Sequence, residues 1–249
     1  MRAILLPSLF MLLACSHLPA QARSSQTLQS VSISKVDADL RAYDSTVANM
    51  EATVAAPKAN PKDMGWVKKK LKHMFDVDQY MRKQMNLPFE HSYNEAEKEY
   101  FSKEYSKRFK QVDNKNTEDL KGLLKIYRWF VTSKFGAEAD NHAWTLVQHA
   151  DEQPEFQKQV LAILTGLYKT KETSPKNYAY LFDRVAASFS DIGNRKLQRY
   201  GTQGQCTGPG KWAPIPMEEP SKVDQRRADV GLGSMAEYIA MFKNICHSN

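Results

Sequence analysis

The sequence lacks the short motifs that would name a reaction. It contains no GxSxG elbow, no HExxH pair, no CxxC pair and no GxxxxGK[ST] phosphate loop. These absences argue against elbow-type serine hydrolases, zinc proteases of the HExxH type, dithiol redox proteins and P-loop nucleotide enzymes. Any site must therefore be assembled from residues that lie far apart in the sequence.

Strand-like alternation and long apolar runs are equally scarce. Beyond the N-terminal segment, no stretch is apolar enough to span a bilayer, and no run alternates convincingly between apolar and polar residues. Apolar residues instead recur three and four positions apart, which is the spacing of amphipathic helices. We predict an all-α fold, a bundle of about seven or eight helices with a long structured loop near the C-terminus, over residues 190–222.

Capping and breaking residues predict several helix boundaries. Ser92 and Glu95 fit a capping box, and Pro154 fits the first turn of a helix. The segment Leu87–Phe89 is expected to end the second helix of the chain. Asn114–Asn116 is expected to form a turn between two further helices.

Cysteine is rare, and the first of the three lies in an N-terminal segment with the anatomy of a signal peptide. The segment MRAILLPSLFMLLACSHLPAQA has a basic residue, an apolar stretch and a small-x-small site, so cleavage is expected after Ala22. The run LLAC also resembles a lipobox, in which Cys15 would be lipidated and attach the chain to a membrane. The sequence supports export and leaves open whether the product is a periplasmic protein or a lipoprotein.

Export bears on the two remaining cysteines and on the partners. In an oxidising compartment, Cys206 and Cys246 are expected to form a disulfide, with two separate thiols as the alternative. The net charge of +7 favours anionic partners. Export argues against nucleic acid, so a small polar or anionic ligand or an anionic envelope surface is expected instead. No cofactor is indicated.

These signals divide the chain into four parts. Residues 1–22 are expected to be the signal peptide, and residues 23–35 a flexible Ser-rich arm. Residues 36–60 are expected to hold an accessory N-terminal helix, which the segment PKANPKD ends. Residues 61–249 are expected to form a helical domain.

Asp78 is the first polar residue in a position where a simple bundle would place an apolar one. It occupies the apolar seam of its helix, and Arg82 follows four residues later on the same face. A buried carboxylate must be paired or hydrogen-bonded. The pair is therefore either a local salt bridge or part of a cleft.

A second polar block lies at the end of a predicted helix, in VQHADEQPEFQ. Gln148, His149 and Asp151 are close together there, and a histidine near an aspartate can act as a general base. The alternative is that Asp151 caps the next helix and His149 fills a helix junction. The spacing to His142 is too loose to predict a metal site.

Two more blocks follow, in YAYLFDRV and RYGTQGQC. Arg184 follows an aromatic face and is expected either to hold an anionic ligand or to pair with a carboxylate of another helix. The second block offers Tyr200, Thr202 and Gln203 between glycines. Glycine permits tight turns that expose backbone N–H groups, so this loop is expected to present donors to a ligand or to seal a junction.

Together these blocks carry a resemblance. DVDQYMR, VQHAD with PEFQ, YLFDR, QRYGTQ and VDQRRADVGL occur in that order. The chain resembles an uncharacterised bacterial family of helical domains, often exported, that is marked by DQxxR, QHxD, DR and YGTQ. The resemblance covers roughly residues 64–242 and implies that the blocks belong to one domain. It implies no activity, and the helix near residues 36–54 is an addition to it.

Three functions are consistent with these observations. The first is a cell-envelope hydrolase or transferase with His149, Asp151 and Asp78 as catalytic residues. In that hypothesis the ligand is bound by Arg82, Gln148, Arg184, Tyr200, Thr202 and Gln203. The second is an envelope binding or interaction protein whose polar blocks form a structural hydrogen-bond network. The third is a structural lipoprotein that docks through its N-terminal helix.

Overall fold

The chain is mostly helical in the computed structural model, which describes residues 34–55, 59–187, 193 and 195–246. The signal peptide, Cys15 and nearly all of the predicted arm lie outside the described residues. Ten α-helices occur in the described ranges: α1 (Ser34–Ala55), α2 (Met64–Gln84), α3 (Leu87–Glu90), α4 (Glu95–Tyr127), α5 (Thr132–Phe135), α6 (Ala137–Gln148), α7 (Pro154–Leu167), α8 (Pro175–Ala187), α9 (Val223–Asp229) and α10 (Met235–Ala240).

The main apolar core lies among α2, α4, α6, α7 and α8. Each of these helices contributes a side chain with no exposed surface: Leu71, Leu120, Val147, Leu164 and Leu181. Burying one such side chain contributes about 1.5–3 kcal/mol, so these helices are held together chiefly by the apolar seams that the sequence shows. Smaller apolar clusters lie beneath α1 and around α10.

The predicted helical class is confirmed, but the prediction without strands is wrong. The C-terminal loop contains an antiparallel hairpin of β1 (Gly204–Gly208) and β2 (Lys211–Pro214), with Gly204 opposite Pro214. Both strands are short and rich in glycine or proline, so they carry too little alternation to be recognised in the sequence. The helices also outnumber the prediction, because α3, α5 and α9 are each only four to seven residues long and show no extended periodicity.

Two predicted boundaries of α4 are wrong. Asn114–Asn116 does not form a turn, because α4, a helix of 33 residues, runs through this segment without a break. Asn116 is buried there and its Nδ2 donates to the Met74 carbonyl oxygen at 3.4 Å. Packing against α2 therefore overrides the local turn preference of Asn116. The capping box at the start of α4 uses Asn94 and Glu97 in place of Ser92 and Glu95.

The C-terminal segment is fastened to the helices by a disulfide and by an aromatic stack. Cys206 of β1 bonds to Cys246, which follows α10, with their Cα atoms 5.5 Å apart. Trp212 of β2 stacks on Phe242 with ring centroids 4.5 Å apart. The predicted disulfide is therefore present in the structure. Among the described residues, no helix is both long and apolar enough to cross a membrane.

Gly204→Ala should destabilise the protein, because β1 passes directly against Trp212. A Cβ at position 204 would lie 2.2 Å from Trp212 Cζ2 and 2.3 Å from the Ala213 carbonyl oxygen. Overpacking of this kind costs about 1–3 kcal/mol. Urea unfolding with the disulfide intact measures the loss. The matched control is Gly208→Ala, whose Cβ would meet its nearest neighbour at 3.9 Å; equal losses in both variants would contradict the prediction.

Candidate functional site

Asp78 is completely buried on α2 and is fully engaged. Its Oδ1 lies 2.7 Å from His149 Nδ1 and accepts from Arg82 Nε at 3.2 Å, while its Oδ2 accepts from Gln79 Nε2 at 2.8 Å. Burial raises the pKa of this carboxyl, but the Arg82 charge and the hydrogen bonds from His149 and Gln79 outweigh burial and hold the pKa below its usual value. Asp78 is therefore an anion at any physiological pH.

Arg82 connects this carboxylate to α4. Its Nη2 donates to both oxygens of Asp113, at 3.0 and 3.3 Å, and its guanidinium lies over the Phe109 ring, 4.6 Å from the centroid. The predicted Asp78–Arg82 pair is thus present, but it is one half of an arrangement in which a single guanidinium serves two carboxylates.

The sequence does not single out Asp113, because this residue directly precedes the segment Asn114–Asn116, which is expected to end its helix. Continuing the helical period through that segment places Phe109, Asp113, Asn116 and Leu120 on one face, at spacings of four, three and four. That period was the signal that would have found it.

His149 occupies the C-cap of α6, where its ring meets both Asp78 and Arg82. Its Nδ1 lies 2.7 Å from Asp78 Oδ1 and 2.8 Å from Arg82 Nε. The first contact requires Nδ1 to donate a proton and the second requires it to accept one. Burial and the Arg82 charge lower the pKa of His149 against the opposing effect of Asp78, so the ring is neutral near pH 7. With Asp78 ionised, the Nδ1–H form is favoured and Nε2 carries the free lone pair.

Asp151 and Arg184 form a second ion pair beside the first. Arg184 donates from Nε to Asp151 Oδ1 at 2.9 Å and from Nη2 to Asp151 Oδ2, and its Nη1 donates to Gln203 Oε1 at 3.1 Å. Gln157 Nε2 also donates to Asp151 at 3.1 Å. Asp151 does not cap α7, whose N-cap is Gln153. The arginine therefore pairs with a carboxylate from another segment, one of the two alternatives that the sequence left open.

The two pairs form one electrostatic unit with an unbalanced charge. The group comprises three carboxylates (Asp78, Asp113 and Asp151), two guanidiniums (Arg82 and Arg184) and the His149 ring; we call these six residues the polar cluster. Because the histidine is neutral, one negative charge is in excess. Burial, and the charges of Asp78 and Asp151 acting against Arg82, raise the pKa of Asp113 to about 7. The polar cluster therefore exchanges a proton near neutral pH.

The glycine-rich loop does not offer its first amides outward, which corrects the prediction. Asp183 is buried on α8 and accepts from the backbone N–H groups of Arg199 at 2.8 Å, Tyr200 at 3.1 Å and Thr202 at 2.9 Å. Gly201, with a φ of 66°, makes the turn that aims these groups at one carboxylate. Asp183 is a structural residue that fixes the loop.

Tyr200 lies in the main apolar core. Its ring meets those of Tyr178 and Phe182 edge-on, at centroid distances of 6.3 and 6.0 Å. Its carbonyl oxygen accepts from Arg227 Nη1 at 2.6 Å. By its described contacts, Tyr200 belongs to packing and to the loop's anchorage, and it touches no residue of the polar cluster.

Thr202 and Gln148 also lie apart from the polar cluster, whereas Gln203 reaches it. The Thr202 hydroxyl donates to Asp183 at 3.0 Å. The Gln148 side-chain oxygen, with its amide oriented toward donors, accepts from Trp144 Nε1 at 3.2 Å and from the Leu181 N–H at 2.9 Å. Of the loop residues singled out in the sequence, only Gln203 contacts a member of the polar cluster in the described structure.

No group of three or more His, Cys, Asp or Glu side chains within the described ranges is arranged to hold a metal ion. His142 within α6 and His149 at its C-cap have different partners. His142 stacks on Phe75 with ring centroids 4.4 Å apart, whereas His149 faces Asp78.

Fold and site together define a mostly helical domain built around a buried, charge-coupled polar cluster. The chain belongs to a family of unknown function, DUF6624, whose profile matches residues 66–247. Every residue of the polar cluster lies inside that range, and α1 lies before it. Comparison with curated proteins gave no match, and comparison with solved structures gave none.

The raised pKa of Asp113 predicts a pH-dependent stability. The pKa is about 7 in the folded chain against 3.8 for a free side chain, so the folded state holds the extra proton. The stability that Asp113 contributes is then fully present below about pH 4 and is lost as the pH rises to about 7. Relative to Asp113→Asn, the wild-type free energy of unfolding should fall by about 2 kcal/mol between about pH 5 and about pH 8.

Urea unfolding of both proteins at the two pH values measures this difference. Asp76→Asn removes a carboxylate from a half-exposed ion pair with Lys72 on the same helix as Asp78 and serves as the control. If the wild type and Asp113→Asn differ equally at both pH values, Asp113 holds no proton near neutrality.

Proposed function

We propose that the protein is an exported cell-envelope enzyme, a hydrolase or transferase that uses the polar cluster for general acid–base catalysis. The observation that carries the proposal is the charge imbalance around Arg82. The site combines a neutral histidine, which a buried anion orients, with a carboxyl group whose pKa is about 7. Groups tuned in opposite directions within one site are typical of acid–base catalysts.

Three members of the polar cluster then have defined tasks. Asp78 holds His149 through Nδ1, so that Nε2 can take a proton from a water or from a hydroxyl of the substrate. Asp113, which is partly protonated at neutral pH because its pKa is about 7, donates a proton to the leaving group. Such proton transfers contribute about 10²–10⁴-fold to a rate.

The second ion pair supports binding. Arg184, fixed by Asp151 and Gln203, has its charge offset by Asp151, and we expect this pair to form a polar wall against which a polar substrate lies. The buried position of Tyr200 and the engaged hydroxyl of Thr202 make both poor nucleophiles. Direct attack by water, or by an acceptor hydroxyl, therefore fits better than a covalent intermediate on the loop.

A second function has support from a specific observation. Every charged side chain of the polar cluster contacts an opposite charge. A satisfied network of this kind can serve purely to fix the junction of α2, α4 and α6. The protein would then be a non-enzymatic binding protein or lipoprotein of the envelope.

Replacement of His149 separates these functions. The mature protein should hydrolyse at least one class among chromogenic esters, phosphomonoesters and glycosides, and His149→Gln should lower that rate about 100-fold or more. The matched control is His142→Gln, which alters a buried histidine of the same helix outside the polar cluster and should keep the rate within about threefold. Initial-rate assays over the three substrate classes measure both.

Stability measurements complete this experiment. His149→Gln should cost about 1–3 kcal/mol under either function, because Asp78 loses a buried partner, so the variant is shown to be folded at the assay temperature before its rate is compared. Absence of turnover by the wild type would favour the structural network.

Export is supported by the signal-like N-terminal segment and by the Cys206–Cys246 disulfide, a bond that persists in oxidising compartments. Expression of the full chain in a bacterial host with an intact secretion system should yield a product that begins at Arg23, or at a lipidated Cys15. Mass spectrometry of the purified N-terminus distinguishes these two. A product that retains Met1 and stays in the cytosol would refute export.

A further inference from the structure

The Asp78 carboxylate is held from two sides. Its Oδ1 faces His149 Nδ1 at 2.7 Å and Arg82 Nε at 3.2 Å, whereas its Oδ2 accepts from Gln79 Nε2 at 2.8 Å. Because the Asp78 side chain has no exposed surface, solvent water does not replace a missing donor there. Among the described residues, Gln79 is therefore the one side chain that engages Oδ2.

Helix geometry alone does not bring Gln79 to Asp78. Neighbouring residues of an α-helix point in directions about 100° apart, so their side chains do not normally face each other. The Gln79 side chain is partly exposed and has water as an alternative partner, yet it folds back over α2 to reach the carboxylate. Hydrogen bonds to a charged acceptor are about twice as strong as those between neutral groups, which favours this contact.

Arg82 alone does not offset the charge of Asp78, because its guanidinium is shared. Its Nη2 donates to both oxygens of Asp113, and its Nε lies between Asp78 Oδ1 and His149 Nδ1. Burial and the Arg82 charge lower the pKa of His149, and the Asp78 charge opposes both. The amide of Gln79 takes up part of that opposing charge from the other carboxylate oxygen.

We propose that Gln79 is a positioning residue of the candidate site, which holds the Asp78 carboxylate and keeps the His149 ring in its neutral, proton-accepting form. A neutral donor suits this task, because it weakens the negative charge facing the ring without forming an ion pair that would turn the carboxylate away. The role rests on the proposed function for its catalytic meaning, since only a neutral ring can take a proton at Nε2.

NMR titration of the imidazole nitrogens of His149 tests the proposal in the purified exported chain with isotope-labelled histidine. The His149 signals are identified by their loss in His149→Gln. Gln79→Met removes the donor at similar length, and it should raise the proton affinity of His149 about three- to tenfold, because the ring registers part of the lost hydrogen bond. Gln84→Met, the same change at another partly exposed position of α2, should leave that affinity unchanged.

Two further substitutions vary the charge at position 79. Gln79→Glu introduces a carboxyl that is ionised above about pH 5, and it should raise the affinity more than Gln79→Met does. Gln79→Lys supplies a charged donor and should lower the affinity below the wild-type value. The series is repeated in Asp113→Asn, since Asp113 exchanges its own proton near neutral pH. The charged members of the polar cluster otherwise stay the same in every variant: Asp78, Arg82, Asp151 and Arg184.

Three results would overturn the proposal. One is an unchanged proton affinity of His149 in Gln79→Met. Another is an equal change in Gln84→Met, which would mark a general effect of the substitution. The last is a wild-type His149 that is already protonated near pH 7. The measurement needs no turnover, so a wild type without enzymatic activity would contradict the proposed function while the titration still decides the role of Gln79.

Discussion

One guanidinium, that of Arg82, joins the segments on which the candidate site depends. Arg82 lies on α2, pairs with Asp113 on α4 and contacts His149 at the end of α6. Taking Asp78 completely out of water is tolerable only because this cation and the histidine face it, since an unpaired buried carboxylate would be too costly. Because one positive charge is divided between two carboxylates, the arrangement that holds the helices together also leaves Asp113 able to keep its proton. The shared Arg82 guanidinium thus accounts both for the contact between the helices and for the raised pKa of Asp113.

Two buried carboxylates elsewhere in the fold, Asp140 and Asp183, have a purely structural role. Asp140 accepts hydrogen bonds from four neutral donors: Trp129 Nε1, Thr173 Oγ1, the Ser174 N–H and Asn177 Nδ2. Asp183 likewise accepts hydrogen bonds from backbone N–H groups of the glycine-rich loop. Both residues hold in place a short, irregular segment that has little apolar packing of its own. Asp183 in particular fixes the loop beside Arg184, although this loop has few aliphatic side chains.

Local signals in the sequence were sufficient for the helical class, the disulfide and the Asp78–Arg82 pair. Apolar residues at three- and four-residue spacings report helices directly, and two cysteines outside the signal segment leave one pairing. What could not be predicted depended on distant packing. Asn114–Asn116 reads as a turn until α2 supplies a partner for Asn116, and the Asp183 contacts depend on how a loop folds back over α8. Asp113 was lost with that false turn, so one wrong boundary concealed a residue of the candidate site.

Solvent access separates the polar cluster from the other buried carboxylates. Burial raises the pKa of Asp140 and of Asp183 as well, so a raised pKa alone marks no site. Both are buried, however, and protonating either would leave several donors without an acceptor. The side chains of Asp113 and Asp151 are 17% and 18% exposed, and protonating Asp113 relieves repulsion among three carboxylates. A proton can therefore be gained and lost at the polar cluster without dismantling the fold, which is the property that acid–base chemistry requires and that a scaffold does not need.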